Sequence, residues 1–229
     1  MRRPRKDKLG GAGNTDKWKD RLIDVPAFIL GNAPSLNKVD LGLLKNYFTI
    51  GINRIFKKYD PTIIVWQDLA LWIQHQKQVK KMKAIKYCRK GADSGKCYHF
   101  NMHGRKSQLT DTPAILYGRG SSGPIAFQLA YSLGCNPVVL VGMDCRYNKK
   151  TGDTDFYGKN PMHRPHTLIS CKEGLKWIKN AGGKKRKIIN CSKNKVFEER
   201  LTLEEAIESI GEIKEWTREE LQRKILKNK

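Results

Sequence analysis

An α/β fold, with an open, mostly parallel sheet and helices on both faces, is the class that this chain predicts. Three observations carry that prediction. Apolar runs at Ala27–Leu30 (AFIL), Tyr47–Ile52 (YFTIGI) and Thr62–Trp66 (TIIVW) recur at roughly 20-residue spacing, each running into a polar end, which is the rhythm of buried parallel strands with short crossovers. Two small-residue loops, Gly31–Leu36 (GNAPSL) and 118–124 (GRGSSGP), stand where a strand gives way to a helix. The most apolar run, Pro137–Val141 (PVVLV), comes late and enters Gly-Met-Asp at 142–144. Together these describe a Rossmann-like sheet with its ligand beyond the carboxyl ends of the strands.

Taken in order, residues 1–20 join basic residues to GGAG and read as a flexible arm. A single nucleotide-binding domain spans 21–200, and 201–229 reads as a helical tail. After the first strand, a helix is expected from Ser35 or Asn37, with Val39, Leu41, Leu43 and Leu44 on its apolar face. The second strand ends at Asn53, a short basic segment runs over 54–59, and the third strand ends in Gln67-Asp68. Asn32, Asn53 and Asp68 should therefore meet at one edge. From Leu69 a basic amphipathic helix and a strand are expected, followed by a loop over 88–103. Ala114–Tyr117 is a short strand, and a helix over Ile125–Leu133 is closed by Gly134. Residues 145–170 have the polar, aromatic, Gly-rich composition of an active-site lid. A helix over Leu168–Asn180 leads to a last strand, Lys187–Asn190. The tail opens on Thr-Leu-Glu-Glu, a capping box from Thr202 to Glu205, with a break near Gly211.

Composition bounds the class of protein. The 229 residues carry 45 Lys plus Arg against 22 Asp plus Glu, a net charge of +23. Such an excess repels itself unless an anionic partner neutralises it: nucleic acid, an anionic membrane surface, or phosphorylated small molecules. No apolar run approaches the roughly 18 residues of a membrane span. MRRPRKDK lacks the apolar segment of a signal peptide, so a cytoplasmic location is expected. Six cysteines are too few for a disulfide scaffold. Cys88, Cys97, His99 and His103 carry ligand types suited to zinc, although their spacing matches no common finger.

The chemistry concentrates in the loops. At the first, Gly31 lets the backbone approach a ligand, while Asn32 and Ser35 supply hydrogen bonds. The second offers an anion cradle of Arg119, Gly120, Ser121, Ser122 and Gly123 at a helix N-terminus. The first loop is neither G-x-G-x-x-G nor a Walker loop, so ordinary NAD or ATP binding is not indicated there. Asp144 ends the late strand. In the lid, Tyr147 and Tyr157 can stack on a base or sugar, and His163 and His166 are the natural general bases.

GNAPSL, Gly51-Ile52-Asn53, RGSSG, VVLVGMD, a His-bearing segment and the IINCS strand together resemble the bacterial lipooligosaccharide sialyltransferases. They are equally similar to a wider superfamily containing motility accessory factors and hydroxymethylpterin pyrophosphokinases. The resemblance covers about Ala27 to Glu205 and implies a GT-A-like variant of the Rossmann fold. It implies donor contacts from Asn32, Asn53, Ser122 and Arg119, a role for Tyr147 at the departing phosphate, and His166 as general base. Gln67-Asp68 departs from the Asn that the sialyltransferases carry there. Asp153-Thr154-Asp155 fits Asp-x-Asp only formally, so no metal cofactor is expected.

The expected function is a glycosyltransferase moving a sugar from a nucleotide-sugar donor to an acceptor hydroxyl. The net charge suggests DNA as acceptor, as in phage-type enzymes that glycosylate hydroxylated bases. The alternatives are a magnesium-dependent pyrophosphokinase, with Asp68 or Asp144 on the metal, and a non-catalytic module that binds nucleotide or nucleic acid.

Overall fold

The computed structural model describes residues 14–94, 97–104, 108–118, 120–160 and 165–227. Residues 1–13 of the expected arm, Arg119 and His163 lie outside them.

Eight strands build one sheet among the described residues: β1 (Ala27–Leu30), β2 (Phe48–Ile52), β3 (Ile63–Trp66), β4 (Ile85–Arg89), β5 (Tyr98–His103), β6 (Ile115–Tyr117), β7 (Val138–Val141) and β8 (Ile188–Asn190). Their order is β6-β5-β4-β3-β2-β1-β7-β8, and every adjacent pair is parallel. Side chains of β1 and β7 are buried on both faces, which is why these runs lack polar alternation. Ile29, Ile50 and Val65 turn to one face, packing beside Ile125, Leu129 and Ile178. Phe28, Leu30 and Trp66 turn to the other, beside Trp72, Val79 and Leu203.

Helices cover both faces: α1 (Leu69–Lys81), α2 (Ser122–Ser132), α3 (Pro165–Trp177), α4 (Leu203–Ile210) and α5 (Arg218–Leu226). The last α-helical turn of α3 relaxes into a π-turn over Ile178–Gly182. Thr202 and Glu205 form the expected capping box of α4, which ends at Gly211.

Four expectations need correction. No α-helix follows β1. Two 3₁₀ turns, Pro34–Lys38 and Leu41–Leu44, stand there, because Val39 and Asp40 are extended and Asp40 starts the second turn by accepting the Gly42 N–H. The 88–103 segment is not a free loop, since β5 pairs with both β4 and β6. The end of the arm belongs to the core: Trp18 is buried against Tyr87 and Tyr98, at centroid distances of 5.4 and 4.9 Å. The tail joins it too, as Leu221 and Ile225 of α5 are buried.

Strand order reverses between β1 and β7, and this switch point positions the site. The two strand ends close in on each other there. A Cβ on Gly31 would lie 2.1 Å from the Gly142 carbonyl oxygen, and one on Gly142 (φ +66°) 2.5 Å from Leu36. Only glycine permits this approach.

Candidate active site at the topological switch point

A cavity of about 630 Å³, open mouth included, lies beyond the ends of β1, β2 and β7. Its floor is Gly31, Asn32, Asn53 and Gly142, and one wall is the N-terminus of α2, from Ser121 to Pro124. Asp144, Cys145, Thr154 and Asp155 form the opposite side, and Leu168, Cys171 and Leu175 of α3 close it.

Hydrogen bonds hold the polar residues in place. Asn32 Nδ2 donates to the Ile52 carbonyl at 2.9 Å, joining the ends of β1 and β2. Asn32 Oδ1 is buried and has no hydrogen-bond partner. A buried acceptor of this kind, on the wall of a cavity, is a docking point for a ligand N–H or O–H. Ser122 Oγ donates to Asn53 Oδ1 at 3.2 Å and accepts from Gln67 Nε2 at 3.2 Å, linking the ends of β2 and β3 to α2. Asn53 and Cys145 adopt φ of +50° and +51°. Left-handed backbone is tolerated by Asn but strained for Cys, and such strain gathers at functional sites.

On the β7 side, Asp144 Oδ1 accepts the Ser35 hydroxyl and the Lys193 N–H, both at 2.8 Å. The Met143 N–H donates to Ser192 Oγ at 2.8 Å, so the loop after β8 braces the end of β7. The lid is pinned as well, because the Phe156 N–H donates to the Asn32 carbonyl at 2.8 Å. Asp155 is buried and accepts the Thr154 hydroxyl at 2.8 Å. Tyr157 lies beneath Arg54 and Lys57, 5.5 and 4.6 Å from its ring centre. Burial, with the Asp155 carboxylate adding, pushes its phenol up, so the hydroxyl stays protonated. The thiols of Cys145 and Cys171 meet in the wall. The Cys145 thiol donates to Cys171, which lowers Cys171, with the Ser121 hydroxyl helping; Cys145 is correspondingly raised.

Beside the cavity runs a second cleft of about 900 Å³, sharing Asp144 and Arg146 with it. Its rim carries Lys38, Arg146, Lys149, Lys150 and Lys193, with Ser35 and Tyr147 between them.

The structure thus brings together Gly31, Asn32, Asn53, Ser121, Ser122, Gly123 and Asp144, with Ser35 and Tyr147 at the adjoining cleft. Gly120 (φ +77°) turns the chain into α2 from an exposed position outside the lining. Asp68 is exposed at the N-cap of α1, also outside it, and Gln67 reaches inward in its place. His166 is exposed in the first turn of α3, about 200° around the helix from Leu168 at 100° per residue. It therefore stands on the far side from the three residues that face the cavity. Sequence reasoning passed over Asp155, whose Asp-x-Asp setting looked coincidental, and over Cys145, Arg146 and Cys171. The strained Cys145 and the lid contact to Asn32 that bring these residues in leave no local signature in the sequence.

No family model matches the chain, and no curated protein matches it in sequence. Among solved structures, it is similar to a MAf glycosyltransferase from Magnetospirillum magneticum AMB-1, with a TM-score of 0.54 at 14% identity over 93% of this chain. The chain spans 40% of the length of that protein. The likeness bears out the α/β, Rossmann-like fold.

Proposed function

We propose that this chain is a glycosyltransferase that moves a sugar from a nucleotide-activated donor to a hydroxyl on DNA. The observation that carries the donor half is the unpartnered, buried Asn32 Oδ1 at the switch point, where α/β sheets hold nucleotides. The glycosyltransferase of similar fold supports the reading. In this account the donor's nucleoside lies over Asn32 and Asn53. Its phosphate lies against the N-terminus of α2, whose first-turn N–H groups, uncapped by any side chain, suit an anion.

The acceptor oxygen attacks the anomeric carbon as the bond from that carbon to the phosphate oxygen breaks, and the phosphate leaves with the bonding electrons. The acceptor's proton passes to a base. In this reading the base is Asp155, a buried carboxylate in the cavity lining, rather than the outward-facing His166. The basic cleft, continuous with the cavity through Asp144 and Arg146, is the acceptor surface in this reading, with Tyr147 at the junction.

The test is transfer of labelled sugar to duplex DNA containing hydroxymethylated bases, at increasing salt. Neutralising several phosphates makes binding fall with slope of roughly −0.9 per phosphate in log–log form. Replacing Lys149, Lys150 and Lys193 by Ala together should lower that slope by about 3. Transfer to a small-molecule acceptor with no salt dependence would exclude DNA while keeping the transferase. ATP consumption that needs magnesium would favour a pyrophosphokinase instead.

A further inference from the structure

Away from the cavity, the turn joining β4 to β5 gathers three metal-binding side chains. The Cys88 and Cys97 sulfurs and an Asp93 carboxylate oxygen all lie within 4.8 Å of one another. Cys88 and Cys97 are 0% and 3% exposed, and the side chain of Asp93 is 1% exposed. The sheet dictates this meeting. Cys88 sits on β4 opposite His99, so Cys97 arrives one residue before the paired part of β5. Asp93 is held between them by accepting the Cys97 N–H at 3.0 Å, and His99 Nε2 lies 2.8 Å from its other oxygen.

Two thiolates and a carboxylate are a donor set for zinc, and the sulfur ligands disfavour magnesium and calcium. In a tetrahedral site with Zn–S near 2.3 Å, ligand atoms stand roughly 3.5–3.8 Å apart, so atoms already within 4.8 Å of one another need only a small contraction to complete the geometry. His99 touches Asp93 as an outer-shell histidine would, fixing the carboxylate. His103, by contrast, is exposed at the far end of β5, outside the cluster.

We propose that Cys88, Asp93 and Cys97 bind one Zn²⁺, with His99 as the positioning residue and a water in the fourth place. Binding releases the two thiol protons to solvent. The ion ties β4 to β5 near one edge of the sheet, independently of any sugar transfer.

Metal content of the full chain, expressed with zinc and dialysed against metal-free buffer, tests this. About one zinc per chain is expected in the unaltered protein and in Cys145→Ser/Cys171→Ser, and less than a tenth in Cys88→Ser/Cys97→Ser. His99→Ala should keep the stoichiometry but bind about 10–100-fold more weakly in competition with a chromophoric chelator. Should the Cys88/Cys97 variant fail to fold, cobalt loading of the unaltered protein gives a second reading: a thiolate-to-cobalt charge-transfer band supports the site. Its absence overturns the proposal. So does a zinc-free unaltered protein, zinc retained by Cys88→Ser/Cys97→Ser, or a Cys88–Cys97 disulfide in the purified chain.

Discussion

Two side chains decide how the proposed chemistry runs, and the one the sequence favours is not the one the cavity holds. His166 has the right chemistry for a general base but the wrong position on its helix, because 3.6-residue periodicity turns it away from the face carrying Leu168, Cys171 and Leu175. Asp155 is buried in the lining, beside Thr154. Asp155→Asn should therefore lower kcat by roughly 10²–10⁴ with donor binding retained, whereas His166→Ala should stay within about threefold. Steady-state kinetics of the two variants check this, and the reverse ranking would return the base to His166. Asn32 and Asn53 were legible because each ends an apolar strand. Asp155 was not, since its place follows from a lid contact, Phe156 N–H to the Asn32 carbonyl, between residues far apart in the chain.

At the scale of elements, the strands of the inner sheet could be read closely. AFIL and VVLV are apolar on both faces, FTIGI is buried throughout with Thr49 and Gly51 on its second face, and burial on both faces is what a parallel interior strand requires. Elements whose burial depends on distant partners were harder. Trp18 looks like part of a basic arm until Tyr87 and Tyr98 pack on it, and β5 is too polar to declare itself before β4 and β6 pair with it. Helix α5 is the clearest case. Its mean composition is charged, yet Leu221 and Ile225, four residues apart, reach the core on one stripe. Ile225→Ala should cost about 2–5 kcal/mol, a fall of roughly 5–15 °C in melting temperature for a chain of this size. A dispensable tail would show no change by thermal denaturation.

At the scale of the molecule, charge and pH act on stability as well as on binding. His75, packed on Phe56 at 5.3 Å, has both ring nitrogens buried without a partner. Burial lowers it below the usual 6.5, and Arg54 and Lys57 lower it further. The unfolded chain therefore takes up this proton first as pH falls through 6.5, so the fold loses stability on acidification from that point downward. Melting curves between pH 7.5 and 5.5 should show a shallower fall for His75→Gln than for the unaltered protein. The +23 charge was plain from composition, but which part of it matters was not, because the cleft of Lys38, Arg146, Lys149, Lys150 and Lys193 draws on three separate loops. The central claim, a nucleotide-sugar site at the switch point, is tested most directly by the melting temperature of the whole chain against CMP-, UDP-, GDP- and ADP-sugars, with Asn32→Ala in parallel. A ligand at 100 times its Kd adds about 2.7 kcal/mol, so one donor should raise the transition by roughly 5–10 °C, and Asn32→Ala should abolish most of that rise. No rise with any nucleotide sugar, or one that Asn32→Ala leaves intact, would contradict the account.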